Sequence, residues 1–162
     1  LDLIEKYGAD ATRFGIIWQT MGTQDMKWSE EHVVAGKKFA NKIWNASRFV
    51  LKQIDSPISP ISPISPIVRQ LEATKKSIDN HLSNYEFGQA LHEIYDFFWH
   101  EYCDKYLEEA KKQPSEETNA TLFYVLVESL KILHPFMPFL TEEIYQKLPL
   151  VDKKLLLVES WE

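Results

Sequence analysis

One cysteine, five glycines and no long uncharged apolar run distinguish this sequence of 162 residues. A lone cysteine excludes an internal disulfide framework and a cysteine-rich zinc site. Cys103 therefore reads as an apolar filler of the core in a reducing compartment. So few glycines exclude a turn-rich β-architecture. No stretch approaches the roughly 18 apolar residues that a membrane span needs, and residues 1–28 do not have a basic-then-apolar pattern, so no membrane partner is expected. A glycine-rich phosphate loop and a Walker-type lysine are also missing. The histidines are His32, His81, His92, His100 and His134, and none joins a recognisable nucleophile, so no catalytic residue is expected.

What is present fits one soluble globular domain: 44% hydrophobic and 26% charged residues. The net charge of −6 argues against binding nucleic acid with the whole surface but leaves room for one basic face. The chain opens on Leu1-Asp2-Leu3 and stops at Trp161-Glu162, which predicts a piece of a longer protein.

The periodicity predicts an all-α antiparallel helix bundle. Residues 1–28 read as a connection of short helices, with Phe14, Ile17 and Trp18 at helical spacing. Residues 29–150 form the bundle, and 151–162 a C-terminal tail in which 155–158 has the composition of a strand. Ser29 is suited to cap a long helix over about 29–54, because its hydroxyl takes an orphan amide hydrogen. In that helix Val33, Gly36, Ala40, Ile43, Trp44, Ser47, Val50 and Ile54 make an apolar face. Lys38, Asn41, Lys42, Asn45, Arg48, Phe49 and Lys52 lie opposite.

A Ser-Pro-Ile repeat over 56–67 follows. Proline at every third position forbids helix and predicts a polyproline II spacer. Helix resumes from Ile67 to Leu82. Ser83-Asn84-Tyr85-Glu86 has the form of a capping box for a helix reaching Lys112, with Phe87, Leu91, Ile94, Phe98 and Tyr102 inward. Pro114 opens a helix striped by Leu122, Val125, Leu126, Ser129, Leu130 and Leu133. His134-Pro135-Phe136-Met137-Pro138 breaks it, and Thr141 to Leu148 closes the bundle, with Glu142 and Glu143 meeting the positive end of that last helix.

Two side-chain sets invite a chemical reading. His92, Asp96, His100 and Asp104 recur at i, i+4, where neighbouring pairs suit a divalent ion. The plainer reading is a solvated face of helical charge pairs, so no metal is expected. The basic face of the long helix is the stronger signal. Lys37, Lys38, Lys42, Arg48 and Lys52 outnumber Glu30 and Glu31 there, in a chain that is acidic as a whole. Phe49 sits among these cations and amides, which is the surrounding an unstacked RNA base requires. The structural alternative packs Phe49 on a neighbouring helix and leaves the lysines merely solvated.

Several segments resemble a known family. Glu5-Lys6-Tyr7-Gly8-Ala9-Asp10-Ala11-Thr12-Arg13-Phe14 is similar to the segment after the KMSKS loop of class I aminoacyl-tRNA synthetases. Phe39-Ala40-Asn41-Lys42-Ile43-Trp44-Asn45-Ala46-Ser47-Arg48-Phe49 resembles the valine-specific form of the next helix. Asn84-Tyr85-Glu86-Phe87, Tyr95-Asp96-Phe97-Phe98-Trp99, Cys103-Asp104 and the run from His134 to Ile144 continue the match.

The resemblance implies the anticodon-binding bundle of a valine–tRNA ligase, cytoplasmic and monomeric, with tRNA(Val) and the catalytic and editing domains of the parent chain as partners. No cofactor is implied for this segment; ATP with Mg serves the parent enzyme. Anticodon contacts carry over to Lys42, Arg48 and Phe49, and Asn41 and Asn45 are added as base-edge partners, with Lys37, Lys38 and Lys52 tracking phosphates. The alternatives are the same domain of an isoleucine–tRNA ligase, or a related module that binds another RNA or a protein. Tyr85 and Trp99 are expected in packing roles. Two features depart from the family pattern: the Ser-Pro-Ile repeat, read as a neutral expansion, and Lys105, which stands where tryptophan is usual.

Overall fold

The computed structural model describes residues 2–20, 28–54, 64–151 and 153–160. Among them the chain is all-helical: α1 (Asp2–Tyr7), α2 (Ala9–Trp18), α3 (Glu31–Leu51), α4 (Pro66–Ser83), α5 (Phe87–Asp96), a π-helical stretch (Phe97–Leu107), α6 (Glu108–Lys112), α7 (Glu116–Leu133), α8 (Pro138–Lys147) and a 3₁₀ turn (Leu156–Val158). Most of the Ser-Pro-Ile repeat, and with it the expected polyproline spacer, lies outside the described residues. Its final unit belongs to α4: Ser65 caps the helix by accepting the Val68 amide at 3.4 Å, and Pro66 takes the first turn, where no amide hydrogen is needed.

The helices pack around one core. α2 crosses α3 very closely, because glycines stand at both contact points. A Cβ on Gly15 would come within 2.7 Å of the Val33 backbone, and one on Gly36 would meet the Ala11 carbonyl at 2.9 Å. Phe14, from the segment expected to be a mere connection, is fully buried between them. Its ring begins an aromatic cluster with Phe39 at 5.6 Å, which continues through Tyr95 at 4.8 Å from Phe39 and Trp99 at 5.3 Å from Tyr95. α4 is tied to α7 through a buried ion pair, in which Lys75 donates to Glu128 at 3.0 Å. Burial opposes the charge on Lys75, but the hydrogen bond and field of Glu128 outweigh it and raise the lysine's pKa.

Several local expectations are corrected. The apolar face of α3 is turned toward Phe39 and Ala46, which are buried, while Ala40 and Trp44 are half-buried at its edge. Ser29 does accept the Glu31 amide, at 3.3 Å, but the regular helix starts at Glu31 and ends at Leu51. Ser83 is not a capping-box residue; it is the last residue of α4. The turn after it is a Schellman motif, with the Glu86 amide on the His81 carbonyl and the Tyr85 amide on that of Leu82. Tyr85 takes the left-handed position at φ 60°, where glycine is usual, and is 82% exposed rather than packed. Trp99 keeps its packing role, half-buried against Phe39 and Tyr95.

The helix expected to reach Lys112 does so with a change of pitch. Residues 97–107 are wound as π-helix, which gathers Phe98, Tyr102, Cys103 and Leu107 on the buried side. Tyr102 donates to the Leu122 carbonyl at 2.8 Å and joins this stretch to α7. Pro114 precedes α7 instead of opening it, because Ser115 is the cap, accepting the Thr118 amide at 3.0 Å. All six stripe residues of α7 are buried, and so are Phe123, Val127 and Ile132, so the helix is enclosed on nearly every side.

The His134–Pro138 elbow buries Phe136 and Met137. α8 starts at Pro138, so Glu142 and Glu143 fall in its second turn. Asp10 of α2 meets the helix start instead, accepting the amides of Leu140 at 2.6 Å and Phe139 at 3.3 Å. Glu142 accepts the Leu156 amide at 3.0 Å, which holds the tail in a 3₁₀ turn in place of the expected strand.

Gly36→Ala is expected to lower stability by about 1–3 kcal/mol through overpacking against Phe14 and the Ala11 carbonyl, as read by urea unfolding. His134 supplies a pH prediction. Its Nδ1 donates to Thr141 Oγ1 at 2.8 Å, and burial lowers its pKa below the ordinary 6.5. Below that value the unfolded chain takes up a proton that the folded chain refuses, so stability falls as pH drops from there toward the folded pKa. In His134→Asn this part of the loss should disappear from unfolding curves recorded across the window.

Candidate nucleic-acid interface

The outer face of α3 is a consequence of its inner one. With Phe39, Ile43, Ala46 and Val50 locked in the core, a helix of 3.6 residues per turn must present Lys38, Asn41, Asn45, Arg48 and Lys52 to solvent. All five are exposed. Lys37 is exposed beside them, with its ammonium 5.8 Å from the Tyr7 ring centroid. Among the described residues no carboxylate lies within 4 Å of Lys37, Lys38, Arg48 or Lys52.

Phe49 and Lys42 sit at the border between the two faces and are half-buried. Phe49 packs by one side against the core. The Lys111 ammonium lies 5.1 Å from its ring centroid. The ring thus packs on the core by one side and lines an opening to solvent by the other. Lys42 donates to Asp104 at 2.6 Å, and its ammonium stands 5.2 Å from the Trp99 ring centroid. Burial works against the Asp104 carboxylate, but Lys42 and His100 outweigh it and hold its pKa below the usual range.

These residues line a shallow cavity of about 140 Å³ between α3 and the π-helix–α6 segment, bounded by Lys42, Asn45, Ala46, Phe49, Cys103, Leu107, Glu108 and Lys111. Apolar side chains and the Asn45 amide line it together with two ion-paired lysines, Lys42 on Asp104 and Lys111 on Glu108, each at 2.6 Å. A planar heterocycle with hydrogen-bonding edges matches that chemistry. Sequence reasoning missed the second wall, Leu107, Glu108 and Lys111. No periodicity within one helix reports which segment will lie across from it.

Other candidates disperse. His92 stacks on Trp18 with ring centroids 3.6 Å apart, and His100 faces Asp104 at 3.5 Å. Among the described residues no group of three or more histidine, cysteine or acidic side chains is placed to hold a metal ion. Burial pushes the Cys103 thiol up to about 12, as befits a core filler and not a nucleophile. Lys105, the departure from the family pattern, pairs with Glu101 on the surface. No described helix is long and apolar enough to cross a membrane.

Comparison with known proteins places this geometry in a family. The profile described as "Anticodon-binding domain of tRNA ligase" matches residues 66–162. The valine–tRNA ligase of Aquifex aeolicus is 42% identical over 92% of this chain and 15% of its own length. That of Thermotoga maritima is 42% identical over 96% of this chain and 19% of its own. That of Fervidobacterium nodosum is 40% identical over 99% of this chain and 20% of its own. The chain thus spans no more than a fifth of these relatives.

In fold it is similar to a LeuRS of Agrobacterium radiobacter, solved in a ternary complex with tRNA and LeuAMS. The TM-score is 0.77 at 19% identity, over 99% of this chain and 20% of that one. With the profile match over residues 66–162 and the extended similarity to valine–tRNA ligases, the chain belongs to the family of anticodon-binding domains of tRNA ligases.

Proposed function

We propose that this chain is the anticodon-binding module of a valine–tRNA ligase and that it grips the anticodon loop of tRNA(Val) with the outer face of α3. The parent enzyme charges tRNA with valine in the cytoplasm, using ATP and Mg. That chemistry and the editing activity belong to catalytic and editing domains, beside which residues 29–150 act as a non-catalytic gripping unit. The three relatives compared above are valine–tRNA ligases, which favours valine over isoleucine.

The observation that carries the reading is the half-buried Phe49 ring, anchored on the core and opening into a groove rimmed by Lys42, Asn45 and Lys111. A splayed anticodon base stacks on Phe49. Arg48, Asn41 and Asn45 present directed donors and acceptors to base edges, Lys42 a donor at the groove mouth, and Lys38 and Lys52 track the phosphates. Glu108, across the groove, accepts from Lys111 at 2.6 Å and keeps its second carboxylate oxygen for an exocyclic amine. In a chain of net charge −6 the α3 cations make a local attraction, and their phosphate contacts make affinity fall with salt.

Phe49→Ala should weaken binding of a valine-anticodon transcript by about 1–3 kcal/mol in fluorescence-anisotropy titrations. Its helical circular dichroism should stay unchanged. Unaltered affinity combined with lost helicity would make the ring a core element and nothing more.

A further inference from the structure

We infer that Asp104 is a specificity-determining positioning residue, which neutralises Lys42 and holds it as a reader of base edges instead of a phosphate contact. The inference rests on the reading of α3 as an anticodon-gripping helix and deepens it.

The basic face of α3 is uneven in a way its sequence does not reveal. Lys37, Lys38, Arg48 and Lys52 have no carboxylate within 4 Å among the described residues, whereas Lys42 is paired to Asp104 at 2.6 Å. The pair joins α3 to the π-helical stretch. It does little for the fold, since its side chains are 32% and 44% exposed and such pairs contribute at most marginally to stability. What it does is geometric. Asp104 occupies one of the three ammonium donors, and the Trp99 ring flanks the same group at 5.2 Å from its centroid. His100 approaches the other carboxylate oxygen at 3.5 Å and steadies Asp104 from its own helix. Lys42 is left at the wall of the groove that Phe49 lines, with donors to spare and no net charge of its own pair.

That combination discriminates between two RNA ligands. A phosphate approaching Lys42 also approaches the Asp104 carboxylate, and the repulsion cancels the attraction. A neutral acceptor on a base, a carbonyl oxygen or ring nitrogen, meets the remaining ammonium hydrogens without that penalty. The α3 cations with no carboxylate partner among the described residues supply sequence-independent attraction, and the compensated Lys42 supplies readout.

The test compares Asp104→Asn, Asp104→Glu and Lys52→Ala with the unsubstituted chain. Binding is measured by anisotropy over a range of salt concentrations, with transcripts that carry a valine or an isoleucine anticodon. In Asp104→Asn, Lys42 is freed to capture a phosphate. Affinity for the isoleucine transcript should rise, discrimination should fall about tenfold, and the salt slope should steepen by about 0.7. Asp104→Glu, which keeps the charge, should retain most of the discrimination. Lys52→Ala should weaken both transcripts equally and make the slope shallower.

Unchanged discrimination and slope in Asp104→Asn, with Lys52→Ala behaving as stated, would overturn the role of Asp104 alone. So would an equal loss for both transcripts in Asp104→Asn and Asp104→Glu, the mark of a structural contact. Should the unsubstituted chain ignore the anticodon and Lys52→Ala bind as tightly as before, the gripping face itself would be refuted.

Discussion

The close crossing of α2 over α3 governs what α3 offers to the outside. Gly15 seats on the Val33 backbone and Gly36 on the Ala11 carbonyl and the Phe14 ring, at separations that no Cβ tolerates. Phe39 then enters the aromatic cluster shared with Phe14, Tyr95 and Trp99. A helix pinned at three successive turns has no rotational freedom. One residue of slip would turn it by about 100° and carry Asn45 and Arg48 toward the core edge. The placement of the basic face is therefore a packing result, decided by apolar contacts on the far side.

Electrostatics and burial divide the work on that face. Exposed cations attract an anion from a distance but hold it loosely, whereas Phe49, fixed by its inner side against the core, offers a ring that loses little freedom when something stacks on it. The groove beside it is bounded by two segments far apart in sequence, α3 and the stretch from Cys103 to Lys111. The π-helical winding belongs to the same arrangement. It collects Phe98, Tyr102, Cys103 and Leu107 inward and leaves Asp104 and His100 outward, toward Lys42.

Much of this was legible in the sequence because it is local. The stripe of α7, the Pro-flanked elbow and the run of polar residues from Lys38 to Lys52 follow from periodicity and proline chemistry alone. The misplacements share one cause, competition decided by tertiary partners. Ala40 with Trp44 and Phe39 with Ala46 both continue the apolar stripe of α3, and only the rings of Phe14 and Tyr95 select the second pair. Ser83-Asn84-Tyr85-Glu86 reads equally well as the start of one helix or the end of another. The bond from the Glu86 amide to the His81 carbonyl makes it the end, at the expense of an unfavourable backbone for Tyr85. Glu142 looked like a partner for the start of α8, but Asp10, 130 residues before Leu140, holds that position.

The most direct test of the account is a nuclear magnetic resonance titration of the protein with an anticodon stem-loop of valine sequence. Perturbed signals should map to Lys38, Asn41, Asn45, Arg48, Phe49 and Lys52 and, across the groove, to Glu108 and Lys111, while Val33 and Ile43 on the inner side of α3 stay in place. Perturbation centred instead on the Ala40–Trp44 edge, or spread evenly over the surface, would contradict the claim that packing against α2 turns a reading face outward.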